Sequence, residues 1–219
     1  MALDVLTEEL ERLGAEVLVC RVGEAFVKNF LDLDRYVAEP DPDNSDYVYL
    51  AEDLIHLPGR KYHRKKNHVN QFLKNVAFEY RPLDREMVEC CLEMQEAWCQ
   101  MKACVEKPDL LAEDRAVYEA LTCFEDLEYE GGAIVINDKV EAFSMGEMLN
   151  QDTAVIHVEK ANPDIPGLYA AINQRFCQSA WSDVTYINRE QDKGIAGLRK
   201  AKESYHPHHM VNKYTLRPK

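Results

Sequence analysis

Apolar residues recur at helical spacing over Val5–Leu13 and again over Gly23–Leu31, with an extended run from Ala15 to Cys20 between them. A loop, AEPDPDNSD, carries two prolines and leads into a second extended run, YVYLA. From Tyr62 the positions Val69, Phe72, Leu73 and Val76 keep a helical period, and basic residues fill the places before and between them. A short strand, AFEYRPL, precedes a helix that Asp84 caps and that aligns Met87, Cys91, Met94, Trp98 and Met101 on one face. Val117, Leu121 and Phe124 mark a second helix.

The period then changes to two. GGAIVINDKVEAFSMGEML predicts two strands about an Asn137-Asp138 turn, TAVIHVEK predicts a third, and antiparallel pairing of all three follows. ANPDIPG leads to a helix with Leu168, Ala171, Ile172 and Phe176 inward, then come the strand VTYIN, a helix from near Ile195 and a last strand, VNKYTL. The pattern predicts an α/β (α+β) class, with a mixed central sheet flanked by helices. Its order of elements resembles the GNAT type of N-acyltransferase fold, whose donor sits where two central strands splay. We expect three parts: a partial N-terminal α/β segment over 1–56, a basic connecting helix over 57–75, and a GNAT-like domain over 76–219.

Charge changes this picture. The 219-residue chain has a net charge of -13, yet Gly59–His68, GRKYHRKKNH, packs five Lys or Arg and two His into ten residues. Residues 1–56 hold 14 acids against 4 bases, 57–75 hold 6 bases and no acid, and 189–219 hold 8 bases against 3 acids. A local field can therefore oppose the global one. No window approaches the roughly eighteen consecutive apolar residues of a membrane span, and the acidic start MALDVLTEELERLG lacks the blocks of a signal peptide, which predicts a cytoplasmic protein. Seven cysteines, with no CxxC and no His at zinc-finger spacing, predict reduced thiols and no metal site.

Candidate chemistry begins on the third strand, where alternation sets His157 and Glu159 on one face, about 7 Å apart by strand rise. A His beside a carboxylate can take a proton from an attacking amine or hydroxyl, although a strand end meeting solvent would look the same. Gly167 precedes a helix whose free N–H groups could hold a phosphate. The Gly-rich loop with which many GNAT enzymes cradle coenzyme A is absent there. In NREQDKGIAGLRKAKESYHP, Arg189, Glu190 and Asp192 follow a strand end, and Arg199, Lys200 and Lys202 lie on the next helix, where they could equally form a solvated face.

The stretches YLAEDLIHLPGRKYHRKKNHVNQFL, WC at 98–99, HVEKANPDIPGLYAAIN and YINREQDKGIAGLRKAKESYHP together resemble the soluble proteins related to the C-terminal domain of phosphatidylglycerol lysyltransferase. The resemblance implies a GNAT-type fold, often in tandem copies with the first one cut down here, and a relation to enzymes that move an aminoacyl group from aminoacyl-tRNA. The family pattern covers His157 and Glu159, the pair that strand alternation makes the candidates for catalysis, without settling which matching residues react. Donor phosphates would meet Arg60, Lys61, Arg64, Lys65, Lys66, Gly167, Arg189, Arg199, Lys200 and Lys202. Trp98, Lys160, Tyr169, Asn188, Glu190 and Asp192 would line the substrate pocket. No tightly bound cofactor is implied; the donor would be aminoacyl-tRNA or, second, acyl-coenzyme A, and the acceptor an amine or hydroxyl. Two other readings stay open: a non-catalytic protein holding RNA, a nucleotide or lipid head groups on the basic helix, and a structural role in which that helix docks on the acidic residues 1–56.

Overall fold

The computed structural model describes residues 2–219, and its chain divides into two compact units, residues 2–48 with Glu190–Lys219 and Tyr49–Arg189. The first unit opens with α1 (Ala2–Arg12), β1 (Val19–Gly23), α2 (Glu24–Phe30), β2 (Tyr36–Pro40) and most of β3 (Asp46–Leu50). The second holds α3 (Ala51–His56), α4 (His63–Asn75), β4 (Glu79–Pro82), α5 (Arg85–Lys102), α6 (Pro108–Thr122), β5 (Glu130–Ile136), β6 (Lys139–Met148), β7 (Thr153–Ala161), α7 (Leu168–Ala180) and β8 (Tyr186–Asn188). The chain then returns to the first unit with α8 (Ala196–Glu203), β9 (His209–Val211) and β10 (Lys213–Pro218).

In the first unit β10 lies between β1 and β2, antiparallel to both, so the last strand of the chain completes a sheet begun by the first residues. β9 pairs with β3, Asp46 opposite Val211. Tyr36 is buried, and its hydroxyl lies 3.0 Å from Thr7 Oγ1.

In the second unit β4, β5, β6 and β7 pair antiparallel in that order, and β8 adds in parallel to β7. The β5–β6 hairpin turns at Asn137 and Asp138, both at positive φ (51° and 62°), which an Asn-Asp pair tolerates better than most residues. α5 starts where Asp84 accepts the Met87 N–H at 2.9 Å, an ordinary N-cap. One sheet face is covered by α5 and α6, whose Met87, Cys91, Met94, Trp98 and Leu121 pack on Phe143, Met145 and Val158. The other face receives α4 and α7, with Phe72, Leu168, Ala171 and Ile172 against Ile134, Ala142 and Ala161. The helical periods that defined these faces are the ones buried, except that Met101, expected on the inner face of α5, is exposed in the last turn of the helix.

Three features depart from expectation. β2 runs to Pro40, into the expected loop, and α3 forms over residues for which the pattern predicts no element, with burial of Tyr36, Leu54 and Ile55 outweighing the surrounding prolines and acids. Cys99 and Cys104 are joined as a disulfide, against the reading of seven reduced thiols: Ala103 at positive φ (51°) ends α5 and turns Cys104 back toward the last helical turn. The strict alternation of β7 also breaks, since the register against β6 shifts between Met145 and Gly146 and leaves His157 as an extra residue. No helix among the described residues is long and apolar enough to cross a membrane.

Candidate functional site

Parallel pairing of β7 and β8 runs from Thr153–Tyr186 to Val155–Asn188, and β8 then ends while β7 continues to Ala161. The side chains that follow are therefore not committed to a strand partner on that edge. Glu159 projects toward α7, where its Oε2 accepts from Asn173 Nδ2 at 2.9 Å, and its Oε1 accepts from Arg189 Nη2 at 2.9 Å. Both charged side chains are largely withdrawn from water, at 15% and 11% exposure. Asn173 is fully buried, and its Oδ1 has no hydrogen-bond partner among the described residues. The Arg189 guanidinium also lies 5.7 Å from the centre of the Tyr49 ring.

Lys65 of α4 completes this group. Burial, followed by repulsion from Arg189, pushes its ammonium down to about 8, with attraction from Glu159 opposing and the Arg64 charge adding to the fall. Of the basic island, Lys65 is the half-buried member, while Arg60, Arg64 and Lys66 are exposed. Lys61 pairs instead with Asp53 of α3 at 3.2 Å. Cys177 lies behind the group, fully buried, with a thiol pushed up to about 12 chiefly by burial, so it offers no thiolate near neutral pH.

A second polar group sits on the opposite face of β7. Lys160 is buried, pairs with Glu113 of α6 and places its Nζ 3.7 Å from the Trp98 ring centre. The Trp98 Nε1–H donates to the Tyr169 hydroxyl at 3.0 Å. Trp98, Lys160 and Tyr169, expected to share a pocket, are therefore assembled, with their polar atoms engaged by one another and by Glu113.

Other expected pairings are not made. His157 and Glu159 were expected on one face, but the bulge turns His157 to Glu147, at 3.0 Å, and to the Tyr129 ring, 5.5 Å centre to centre. Gly167, expected to open a phosphate site, precedes α7 at a φ of 85°, and a side chain there would meet His68 O of α4 at 2.5 Å, so glycine lets α7 pack closely on α4.

In the first unit, Asp192 is fully buried and accepts from Tyr47 Oη at 2.6 Å, Arg199 Nε at 2.7 Å and Nη2 at 2.9 Å, and the Gly194 N–H at 2.8 Å. Hydrogen bonds from Arg199 are the largest cause holding its carboxyl at about 2, and burial opposes them. Arg199 also reaches Asp43 at 2.6 Å. Lys202 is buried, 5.9 Å from the Tyr47 ring centre, Lys200 is exposed, and the Glu190 carbonyl accepts the Tyr47 N–H at 3.1 Å. Asn188 is buried on β8. Asp192 and Arg199 thus tie backbone and side chains of their own unit together. Asn173, Glu113 and Tyr49 were not anticipated; only Asn173 left a sequence signal, an amide inside the buried stripe of α7.

A family model described as "Phosphatidylglycerol lysyltransferase, C-terminal" matches residues 1–217. A solved structure of a conserved protein of unknown function from Bacteroides thetaiotaomicron is 36% identical with a TM-score of 0.91, covering all of this chain and 75% of that one. The structure of L-PGS from Bacillus licheniformis superposes with a TM-score of 0.66 at 13% identity, over 96% of this chain and 70% of that one, and so shares the fold. An uncharacterised protein of Mycoplasmoides gallisepticum is 22% identical over 177 residues, 80% of this chain; the chain spans 56% of that relative's length. By the match over nearly its whole length, the chain belongs to the family of phosphatidylglycerol lysyltransferase C-terminal domains.

Proposed function

We propose that this domain transfers an aminoacyl group from aminoacyl-tRNA, in preference to acyl-coenzyme A, to an amine or hydroxyl acceptor. The observation that carries the reading is the convergence of Glu159, Arg189, Asn173 and Lys65 where β8 stops and β7 continues. Each Glu159 oxygen keeps one acceptor direction beyond the bond described, enough to hold the ammonium of an aminoacyl group. Arg189 supplies positive charge for the oxyanion that forms when the acceptor attacks the ester carbonyl.

Lys65, shifted to about 8, exists partly as the free amine near neutral pH. In that form it takes the proton from the attacking nitrogen or oxygen, and it returns the proton to the ribose oxygen as the ester C–O bond breaks. Lys65, and not His157, takes the basic role in this scheme, because His157 faces Glu147. The exposed Arg60, Arg64 and Lys66 then meet donor phosphates.

The test is to incubate purified protein with charged tRNA and a panel of amines and alcohols, and to follow loss of the aminoacyl ester. Consumption that stops in Lys65→Met and continues in His157→Ala supports the scheme; the reverse would sink the role of Lys65. Affinity for charged tRNA is expected to fall by about 0.7–0.9 log units per phosphate contact for each tenfold rise in salt. The exposure of the island also favours a second reading, a binding protein for an anionic partner. Salt-sensitive tRNA binding with no loss of ester would select that reading.

A further inference from the structure

The Cys99–Cys104 disulfide has no part in the transfer chemistry, and its setting within the second unit is that of a bond open to exchange. The two residues are five apart, near the end of α5 and at the start of the turn Cys104–Glu106. Closing so short a loop removes little entropy from the unfolded chain, since that effect grows with loop length. Nor does the turn depend on the bond for its shape. The Ala103 N–H donates to the carbonyls of Cys99 and Gln100, the Glu106 N–H to Ala103 O at 3.1 Å, the Lys107 N–H to Cys104 O at 2.9 Å, and Lys107 Nζ to Lys102 O at 2.9 Å. The backbone is held whether or not the sulfurs are joined.

Both cysteines line a groove of about 910 Å³ between α5 and α6. Cys99 is partly exposed, whereas Cys104 is fully buried and belongs to the core beneath α5. A thiolate that enters the groove therefore reaches the sulfur of Cys99. The residues lining the groove include six carboxylates and one base, Arg115. Glu96 precedes Cys99 by about one turn of α5, and Glu106 ends the turn that Cys104 begins; both are exposed. Lys102 and Lys107 flank the turn without lining the groove. Such a field repels an anion approaching Cys99 in proportion to its charge. The reacting thiolate of an aminothiol is net neutral, that of an uncharged thiol carries one negative charge, and that of an acidic thiol carries two.

From these features we propose that the Cys99–Cys104 disulfide is a thiol–disulfide exchange site whose groove selects by charge, taking aminothiols ahead of uncharged thiols and holding off acidic ones. The incoming thiolate attacks Cys99 Sγ, the S–S bond breaks, and Cys104 leaves as a thiolate that takes a proton from water. A second thiolate attacks the reagent's sulfur in the mixed disulfide and releases Cys99, which is protonated in turn. Two reagent thiols are thereby oxidised to one disulfide, and the protein gains two electrons and two protons.

The experiment treats the folded full chain with cysteamine, mercaptoethanol or mercaptoethanesulfonate, quenches with acid, and maps the cysteines open to alkylation by peptide mass. Each rate is divided by that reagent's rate with hydroxyethyl disulfide, which removes its intrinsic nucleophilicity. Cys99 and Cys104 should be blocked at the outset and become the newly alkylated pair, with the transient reagent adduct on Cys99. The normalised rate should fall about tenfold from cysteamine to mercaptoethanesulfonate at about 10 mM salt, and less than about threefold at about 1 M, where screening is nearly complete. The double variant Glu96→Gln with Glu106→Gln, exposed at both positions, should shrink the low-salt ratio to about threefold or less. Alkylation of Cys99 and Cys104 before any thiol is added, or opening only after the chain unfolds, would overturn the site. Equal normalised rates at low salt, a ratio unchanged in the double variant, or an adduct on Cys104 in place of Cys99 would overturn it as well.

Discussion

Two arginine–carboxylate networks, one in each unit, look alike in composition and differ in balance. Around Asp192, one guanidinium meets two carboxylates, and the buried carboxylate accepts four hydrogen bonds from Tyr47, Arg199 and the Gly194 N–H. Around Glu159, one carboxylate meets Arg189 and the nearby charge of Lys65, a buried amide oxygen of Asn173 is left without a partner, and the amine of Lys65 is displaced to about 8. A network that satisfies itself fixes structure. One that keeps a buried acceptor without a donor, as Asn173 Oδ1 is here, has something left to bind.

The strongest way to break this contrast is at Lys65. Lys65→Met is expected to reduce aminoacyl transfer about 100-fold or more, the usual scale for losing a general base. Stability should move the other way. The folded-state value lies below the ordinary lysine value, so the folded protein holds this proton less tightly than the unfolded chain. Wild-type stability then rises with pH from about 8 toward 10.5, and carries the full burial penalty below 8. The variant, freed of that penalty, should melt higher than wild type at pH 7, with the gain fading by about pH 10.5. A variant that melts lower at pH 7 and still turns over would place Lys65 with the structural network instead.

Asp192→Ala probes the other side of the comparison. Breaking a buried ion pair costs about 3–5 kcal/mol, but Arg199 is 38% exposed and can turn to water, so about 2–3 kcal/mol is expected. Melting should fall by roughly 5–10 °C for a chain of this size. Since the Asp192 carboxyl is held at about 2, below its ordinary value of 3.8, its contribution is complete above about pH 4 and is lost as pH falls toward 2. The stability difference between wild type and Asp192→Asn should narrow over that window. A difference that stays constant down to pH 2 would remove the charged pair as its cause.

Local rules explain how much of this was visible in the chain itself. Helix faces, the Asp84 cap and the Asn137-Asp138 hairpin depend on residues a few positions apart, and the sequence pattern carried them. Glu159 and Arg189 were legible as chemistry, but their pairing spans 30 residues and needs β8 to end beside β7. His157 was misplaced because a single inserted residue in β7 reverses the alternation, and no periodicity reports a bulge that a neighbouring strand imposes. The charge run over residues 189–202 read as one patch. In the folded chain Arg189 joins Glu159, whereas Arg199 joins Asp192 and Asp43. The disulfide depends on the positive φ of Ala103, a conformation that alanine gives no hint of.

The smallest effect sharpens the comparison inside the second unit itself. Trp98, Tyr169, Lys160 and Glu113 form a polar group whose bonds are made to one another, so by the rule of balance it belongs with the Asp192 kind although the resemblance set three of its members in a substrate pocket. Trp98→Phe removes the indole N–H from the Tyr169 hydroxyl and leaves an aromatic face under Lys160. Tyr169 is 37% exposed and can take water in exchange, so the loss should be near the lower end for a hydrogen bond, about 0.5–1 kcal/mol. A structural role predicts that small fall in melting temperature with transfer changed less than threefold. If transfer instead drops tenfold or more while melting stays put, Trp98 touches the substrate, and self-satisfaction of a polar group ceases to separate scaffold from site in this fold.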